Sequence, residues 1–263
     1  MSTNQTTTSA ALYFSTDRLD HIPLAWFEGA RRFFEDRNLP LTYFYASGAS
    51  FQVDEFHDFA GRSADLAEGL QGNRVRGLCL HSPRTYSGPK SDWRATAFIW
   101  LTDGIFYLGV DEQVVPSPST LLARAWEVAR DILDVRYGIS YKLPLSKHPD
   151  LYATGSNVFS LAKLRELLEA RKKGAVQKHP NEIWSDELNN KKRHLTSHFR
   201  GVFPASIVSE THVQAADLRT HGIGRLTELD RSLWLWELSD AEMPAAESVL
   251  REKRVLVTGK ERW

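Results

Sequence analysis

The hydrophobic and polar positions in the first half of the chain follow two different periods. Apolar residues recur at helical spacing within Pro23–Asp36, whereas the Leu, Thr, Tyr and Phe residues of Leu41–Ala46 favour a strand. The segment Asp54–Leu70 predicts a second helix, and Asp103-Gly104 predicts a tight hairpin turn. The other apolar runs predict strands over Ala11–Ser15, Arg74–His81, Trp93–Thr102 and Ile105–Val110.

A longer helix is predicted over Pro118–Arg136, where leucines and alanines form one apolar stripe. Ser117 can cap its first turn, and Pro118 suits the first helical position because its missing N–H is not needed there. Gly138 is the predicted stop, since helices often end at a left-handed glycine. A strand over Ile139–Leu143 is expected to follow.

The C-terminal segment has the clearest alternation of strand and helix patterns. The predicted elements follow the order β-α-β-β-α-β, which is the split-βαβ arrangement. They are Val202–Ser209, Thr211–Leu218, Arg225–Leu229, Ser232–Leu238, Asp240–Glu252 and Val255–Thr258. Two helices precede them, one beginning at Ser160 and a polar one over about Asn181–Phe199.

These elements together predict an α+β protein with two α/β sandwich, split-βαβ-like halves packed together and joined by a helical segment. Residues 1–10 are predicted to be a disordered tail, because they are rich in Ser, Thr, Asn and Gln. The N-terminal α/β half is placed at 11–157, the helical connector at 158–200 and the C-terminal half at 201–263.

Charge and hydropathy argue against nucleic acids and membranes as partners. The chain has 33 Lys and Arg against 33 Asp and Glu, so it lacks the basic excess that phosphate-backbone binding favours. We therefore expect no nucleic-acid partner. The N-terminus has neither a basic nor an apolar signal region, and no apolar run is long enough to span a bilayer. We expect a cytoplasmic protein without a membrane partner, and the sequence is compatible with a homo-oligomer.

Two sequence patterns could provide metal-binding or reactive side chains. His194 and His198 lie four residues apart on the predicted polar helix, and Glu187 lies seven residues before His194, so the three could hold one metal ion. The neighbouring lysines and arginine oppose a divalent cation, which favours a solvated histidine pair. Cys79 lies in an apolar run, two residues from His81, and is predicted to be a buried structural thiol.

The loop Ser82–Arg94, between the predicted strands Arg74–His81 and Trp93–Thr102, is the predicted partner-binding region. It is polar and too long for a tight turn, and Arg and Tyr are favoured at interfaces. An ordinary surface connection is the alternative. The side chains concerned are Arg84, Tyr86, Lys90, Asp92 and Arg94.

Local catalytic signatures are absent from the sequence. It contains neither a nucleophile elbow (G-x-S-x-G) nor a dinucleotide-binding glycine pattern after its first strand. No catalytic residue is assigned and no cofactor is expected. The chain is predicted not to be an enzyme.

Two stretches resemble the immunity proteins of bacterial polymorphic-toxin and type VI secretion systems. The first is Ala125–Gly155, which contains Tyr137–Tyr141 and Leu151–Gly155, and the second is Phe199–Leu256. Within the second, the similar residues are Val202–Ala205, Gly224-Arg225-Leu226 and Leu233–Trp236. Together the two stretches make up about a third of the chain. They consist of glycines, aromatic residues and strand cores.

The resemblance implies a small cytoplasmic α/β protein that binds a cognate toxin and occludes its active site. Such a protein needs no catalytic residue, cofactor or metal, and none is carried over from the family. Two other hypotheses remain open at this point. One is a metal-dependent hydrolase that uses the His-x-x-x-His helix, and the other is a non-catalytic component of a bacterial defence or secretion complex.

Overall fold

The computed structural model of the chain describes residues 5–16, 22–48, 51, 55–83, 93–155, 184, 186, 188–230 and 232–257. The strands in these ranges are β1 (Thr6–Phe14), β2 (Tyr43–Gly48), β3 (Phe56–Asp58), β4 (Val75–Pro83), β5 (Trp93–Trp100), β6 (Ile105–Asp111), β7 (Val135–Pro144), β8 (Ala205–Ser209), β9 (Arg225–Asp230) and β10 (Leu233–Glu237). The helices are α1 (Ile22–Glu35), α2 (Phe59–Gln71), α3 (Pro118–Ala129), α4 (Pro149–Thr154), α5 (Glu210–Ala216), α6 (Leu218–His221) and α7 (Met243–Glu252). None of these helices is both long and apolar enough to cross a bilayer.

The ten strands form one sheet in the order β3-β2-β4-β5-β6-β1-β7-β8-β10-β9, and each neighbouring pair is antiparallel. The α+β class predicted from the sequence is confirmed. The two predicted halves share this sheet, because β7 pairs with β8 through Gly138–Ser140 and Ala205–Ile207. The boundaries drawn at 157/158 and 200/201 stay a prediction, since most of the connector lies outside the described residues.

Helices cover both faces of the sheet and divide the core into two layers. One face packs against α1, α2 and α3, and the other packs against the shorter helices α4, α5, α6 and α7. In β1, Leu12 and Phe14 face the first layer, and Ala11 and Tyr13 face the second. Because β1 is central and covered on both faces, eight of its nine residues are buried.

The predicted N-terminal tail is wrong for Thr6–Ala10, which belongs to β1. Its polar side chains suggested disorder, yet Thr7, Thr8 and Ser9 are fully buried. Their backbone groups are paired on both sides, with β6 and with β7, so burial leaves no backbone group unsatisfied. The Ser9 hydroxyl also forms a 2.9 Å hydrogen bond with the Tyr107 hydroxyl.

Two predicted helices are shorter than their sequence patterns suggested. The helix predicted over Pro118–Arg136 ends at Ala129, and Gly138 lies inside β7 instead of ending the helix. A β-carbon at Gly138 would lie 2.7 Å from Leu12 Cδ2, so close strand packing explains this glycine. The predicted cap is confirmed, because the Thr120 backbone N–H donates to Ser117 Oγ at 3.3 Å.

The helix predicted from Asp54 begins instead at Phe59, where the Asp58 carboxylate accepts a 2.9 Å hydrogen bond from the Ala60 N–H. The residues just before it, Phe56–Asp58, form the edge strand β3. The acidic residues suggested a first helical turn, whereas only Asp58 acts as the cap. The Asp103-Gly104 turn is confirmed between β5 and β6.

The C-terminal order β-α-β-β-α is confirmed by β8, the α5–α6 pair, β9, β10 and α7. The final predicted strand is reduced to a single parallel bridge between Phe199 and Leu256. It is held by two backbone hydrogen bonds, from Phe199 N to Val255 O at 2.7 Å and from Val257 N to Phe199 O at 2.8 Å. This bridge brings the segment around Phe199 against the second core layer.

Candidate functional site

The predicted partner-binding loop lies mostly outside the described residues. This holds for Arg84, Tyr86, Lys90 and Asp92. Arg94 is described; it is the second residue of β5 and is exposed. The ends of the loop are fixed to each other because Pro83 of β4 pairs with Trp93 of β5. The loop therefore leaves the sheet at the end opposite to the Asp103-Gly104 turn.

The predicted His-x-x-x-His helix is wrong. Lys192 has a left-handed backbone with φ of 47°, and residues Arg193–Leu195 form a single 3-10 turn. The helical spacing that would place His194 and His198 over one ion is therefore absent, and Glu187 lies outside the described residues. Among the described residues, no group of three or more His, Cys, Asp or Glu side chains is arranged to hold a metal ion.

Cys79 is buried on β4, as predicted. Its Sγ lies 3.1 Å from His81 Nε2 and 3.5 Å from Thr96 Oγ1, so the two side chains of β4 share one face. Burial raises the pKa of the Cys79 thiol to about 12. The sulfur is thus held as a neutral thiol, which is a poor nucleophile.

We expect native Cys79 to react with a disulfide reagent at pH 8 roughly a thousandfold more slowly than in the unfolded chain, because its thiolate fraction is lower by about that factor. The measurement is the rate of thiol labelling with and without concentrated guanidinium chloride. Since Cys79 is the single cysteine, each trace reports one site. Equal rates in both conditions would contradict the buried neutral thiol.

Trp234 and Trp236 lie on one face of β10, and their roles differ. Trp236 is buried in the second core layer. Trp234 is half-buried, and its indole N–H donates to Glu210 at 3.0 Å. Arg219 lies over the Trp234 ring at 4.6 Å and binds both oxygens of Glu210 at 2.7 and 2.8 Å. This ion pair lowers the pKa of Glu210 to about 2. Core packing and surface pairing account for both indoles.

A cavity of about 360 Å³ lies on the second face of the sheet. It is bordered by the β5–β6 turn, the end of α4 and the segment that contains residues 188–200. Its polar lining residues are Tyr13, Asp103, Thr154, Asn189, Lys192, His194 and Arg200. The cavity brings together polar groups from four separate segments of the chain, and it is our candidate site.

Arg200 is the most unusual residue of this cavity, because it is only 3% exposed. Its Nη1 donates to the Ala153 carbonyl at 2.6 Å, and its Nη2 donates to the Tyr152 carbonyl at 2.8 Å, both in the last turn of α4. The guanidinium also lies 4.9 Å from the Tyr13 ring and 5.2 Å from the Trp184 ring. These contacts explain how a cation is tolerated there.

The guanidinium of Arg200 nevertheless remains incompletely satisfied. Its Nε has no hydrogen-bond acceptor, and no carboxylate of the described residues forms an ion pair with it. Burial lowers the pKa of Arg200 to about 9, so the side chain is still protonated at neutral pH. Arg200 is thus a buried cation at the wall of an open cavity, and no described carboxylate pairs with it.

His194 forms a second unsatisfied part of the wall. It is 5% exposed, its ring meets the Tyr13 ring edge-on at 4.8 Å, and its Nδ1 has no hydrogen-bond partner. Burial, with smaller contributions from His212 and Lys192, lowers the pKa of His194 to about 3. The imidazole is therefore neutral and can supply a hydrogen bond without a charge.

His212 holds the backbone of His194 in place by a hydrogen bond. Its Nε2 donates to the His194 carbonyl at 3.0 Å, and its Nδ1 accepts from the Ser209 hydroxyl at 2.7 Å at the start of α5. Burial lowers the pKa of His212 to about 4. Its proton is thus held on Nε2, and the turn that carries His194 is tied to α5.

The sequence pattern indicated His194 in a different role and gave no indication of Arg200 or Tyr13. The signal for Arg200 is slight: an arginine flanked by Phe199 and Gly201 in an otherwise apolar stretch. Charged residues in such stretches are usually exposed. The cavity is assembled from segments that are far apart in the chain, so no local motif could reveal it.

No protein-family model matches the sequence, and no curated protein matches it. Among solved structures, the fold is similar to that of the Pseudomonas aeruginosa T6SS protein PA0821, with a TM-score of 0.57. The similarity covers 96% of this chain and 73% of that chain, at 12% sequence identity. At that identity the comparison establishes a shared fold.

Proposed function

We propose that this chain is a binding protein of a type VI secretion context, and more specifically an immunity protein that neutralises a cognate toxin by direct binding and occlusion. The observation that carries the proposal is the fold similarity to a T6SS protein over 96% of the chain. The two immunity-like stretches, Ala125–Gly155 and Phe199–Leu256, lie on neighbouring strands of the shared sheet, which supports the same reading.

The surface proposed for the toxin is the end of the sheet from which the 84–92 loop leaves. Exposed Arg94 lies there, and the neighbouring strands end in a 3.6 Å ion pair between Glu112 and Lys142. Exposed charges of both signs suit a polar interface, because complementary charges accelerate association. Arginine is also among the residues that contribute most to protein interfaces.

The first experiment is a pull-down with the tagged chain from its native host, together with a toxicity-rescue assay using the protein encoded next to it. We expect one stoichiometric partner whose toxicity this chain suppresses. A partner without toxicity would instead indicate a non-catalytic component of a secretion or defence complex. If no partner is captured and no toxicity is suppressed, both readings are refuted.

Arg94→Glu tests the proposed surface. We expect it to slow association with the captured partner by about tenfold at low salt, because charges at an interface rim act mainly on the association rate. The matched control is Arg76→Glu, since Arg76 is the exposed second residue of neighbouring β4 at the other end of the sheet. Equal association rates for the two variants would place the interface elsewhere.

A further inference from the structure

We propose that the cavity beside Arg200 is a carboxylate-binding site. The positive charge of Arg200 has no compensating negative charge among the described residues. Burying a cation is costly unless an anion or several acceptors replace its water. Arg200 has two carbonyl acceptors and aromatic neighbours, yet its Nε lacks any acceptor and no carboxylate of the described chain reaches it. An anion that enters the cavity would supply the negative charge and the hydrogen-bond acceptor that Arg200 lacks.

The remaining donors of Arg200 have the geometry for a planar ligand. A guanidinium carries five N–H groups, and only two are used here, one on each Nη. Nε and one remaining Nη hydrogen form a parallel pair along one edge. The rings of Tyr13 and Trp184 lie close to the guanidinium and Nε itself is buried, so a carboxylate in the cavity would reach this edge only after a shift of the cavity wall. A carboxylate accepts two parallel hydrogen bonds from such an edge.

The rest of the described lining favours a monoanion. Lys192 adds a second positive charge and Asp103 adds one negative charge, so the lining carries one net positive charge with Arg200 included. Asn189 and His194 also line the cavity, and the Nδ1 of His194 is buried without a hydrogen-bond partner. Asp103 would repel a doubly charged phosphate more strongly than a carboxylate. The volume of about 360 Å³ accommodates a small organic acid or an acidic side chain.

The carboxylate has two possible sources: a free organic acid or an acidic residue presented by a polypeptide. The site lies at the Asp103-Gly104 end of the sheet, whereas the surface proposed for the toxin lies at the opposite end. The inference therefore stands without the proposed function, and failure of either one leaves the other intact.

The test follows the Nε–H signal of Arg200 in ¹⁵N-labelled full-length protein by NMR. Separate titrations use sodium acetate, L-glutamate and an end-blocked peptide with one glutamate, each at constant ionic strength and up to about 100 mM, which covers millimolar affinity. We expect a saturable shift of the signal with at least one of them. Saturation by acetate or glutamate identifies a free acid as the source, and saturation by the peptide alone identifies a polypeptide.

Lys192→Gln provides the matched variant, because it removes a cavity charge without touching Arg200. We expect it to weaken binding by about two- to fivefold, as for a partly exposed charge. Lys142→Gln, at the far end of the sheet, should leave the affinity unchanged. The proposal is overturned if no carboxylate shifts the Arg200 signal, if phosphate binds and carboxylates do not, or if the two lysine variants bind alike.

Discussion

Lowering the pH from 7 to 5 is expected to reduce the free energy of unfolding by about 4 kcal/mol through His194 and His212 alone. Both are buried and neutral, with pKa values lowered to about 3 and about 4 from an ordinary value of 6.5. Between pH 6.5 and these values the unfolded chain binds protons that the folded chain does not, so stability falls as the pH falls. The slope for each group approaches about 1.36 kcal/mol per pH unit once the pH is well below 6.5, which gives about 2 kcal/mol for each between pH 7 and pH 5.

Urea unfolding at pH 7 and pH 5 measures this effect. In His194→Gln the loss of stability between the two values should be smaller than in the unaltered protein by about 2 kcal/mol, because one of the two groups no longer titrates. His221→Gln is the matched control, since His221 is exposed at the end of α6. If the two variants lose the same stability on acidification, His194 is not held neutral by the fold.

Trp26→Ala is expected to lower the free energy of unfolding by about 3–5 kcal/mol, the range for deletion of a large aromatic side chain from a packed core. Trp26 lies in α1, is completely buried and meets the Phe106 ring of β6 edge-on at 5.7 Å. Its loss would leave a cavity between the helical layer and the middle of the sheet. The measurement is the urea midpoint, with the slope of the transition checked for constancy.

Trp26→Phe separates packing from polarity. The indole N–H of Trp26 has no hydrogen-bond acceptor in the structure, so phenylalanine removes an unsatisfied donor as well as some volume. We expect a cost below about 1.5 kcal/mol, because the two effects oppose each other. Trp126→Ala, on a half-buried position of α3, serves as the comparison and should cost less than Trp26→Ala. Equal costs would show that the first core layer does not depend on Trp26.

The sequence alone determined the elements whose signals are local. The Asp103-Gly104 turn and the Ser117 cap follow from backbone conformation and from one side-chain hydrogen bond, both of which act within a few residues. Because successive side chains of a strand point to opposite faces, the spacing of Cys79 and His81 in β4 likewise places them on one face. The α+β class and most of the C-terminal order also follow from periodicity, because each element must bury one face.

Only the tertiary structure decided where the ends of the elements lie and which residues form the site. Thr6–Ala10 is a strand because two neighbours satisfy its backbone, and Gly138 lies in a strand because β1 and β8 pack tightly against it. Lys192 interrupts the polar helix, which moves His194 into the core. Arg200 then meets the end of α4 through contacts across 47 and 48 residues of sequence. Such long-range contacts depend on the completed sheet, and no local pattern encodes them.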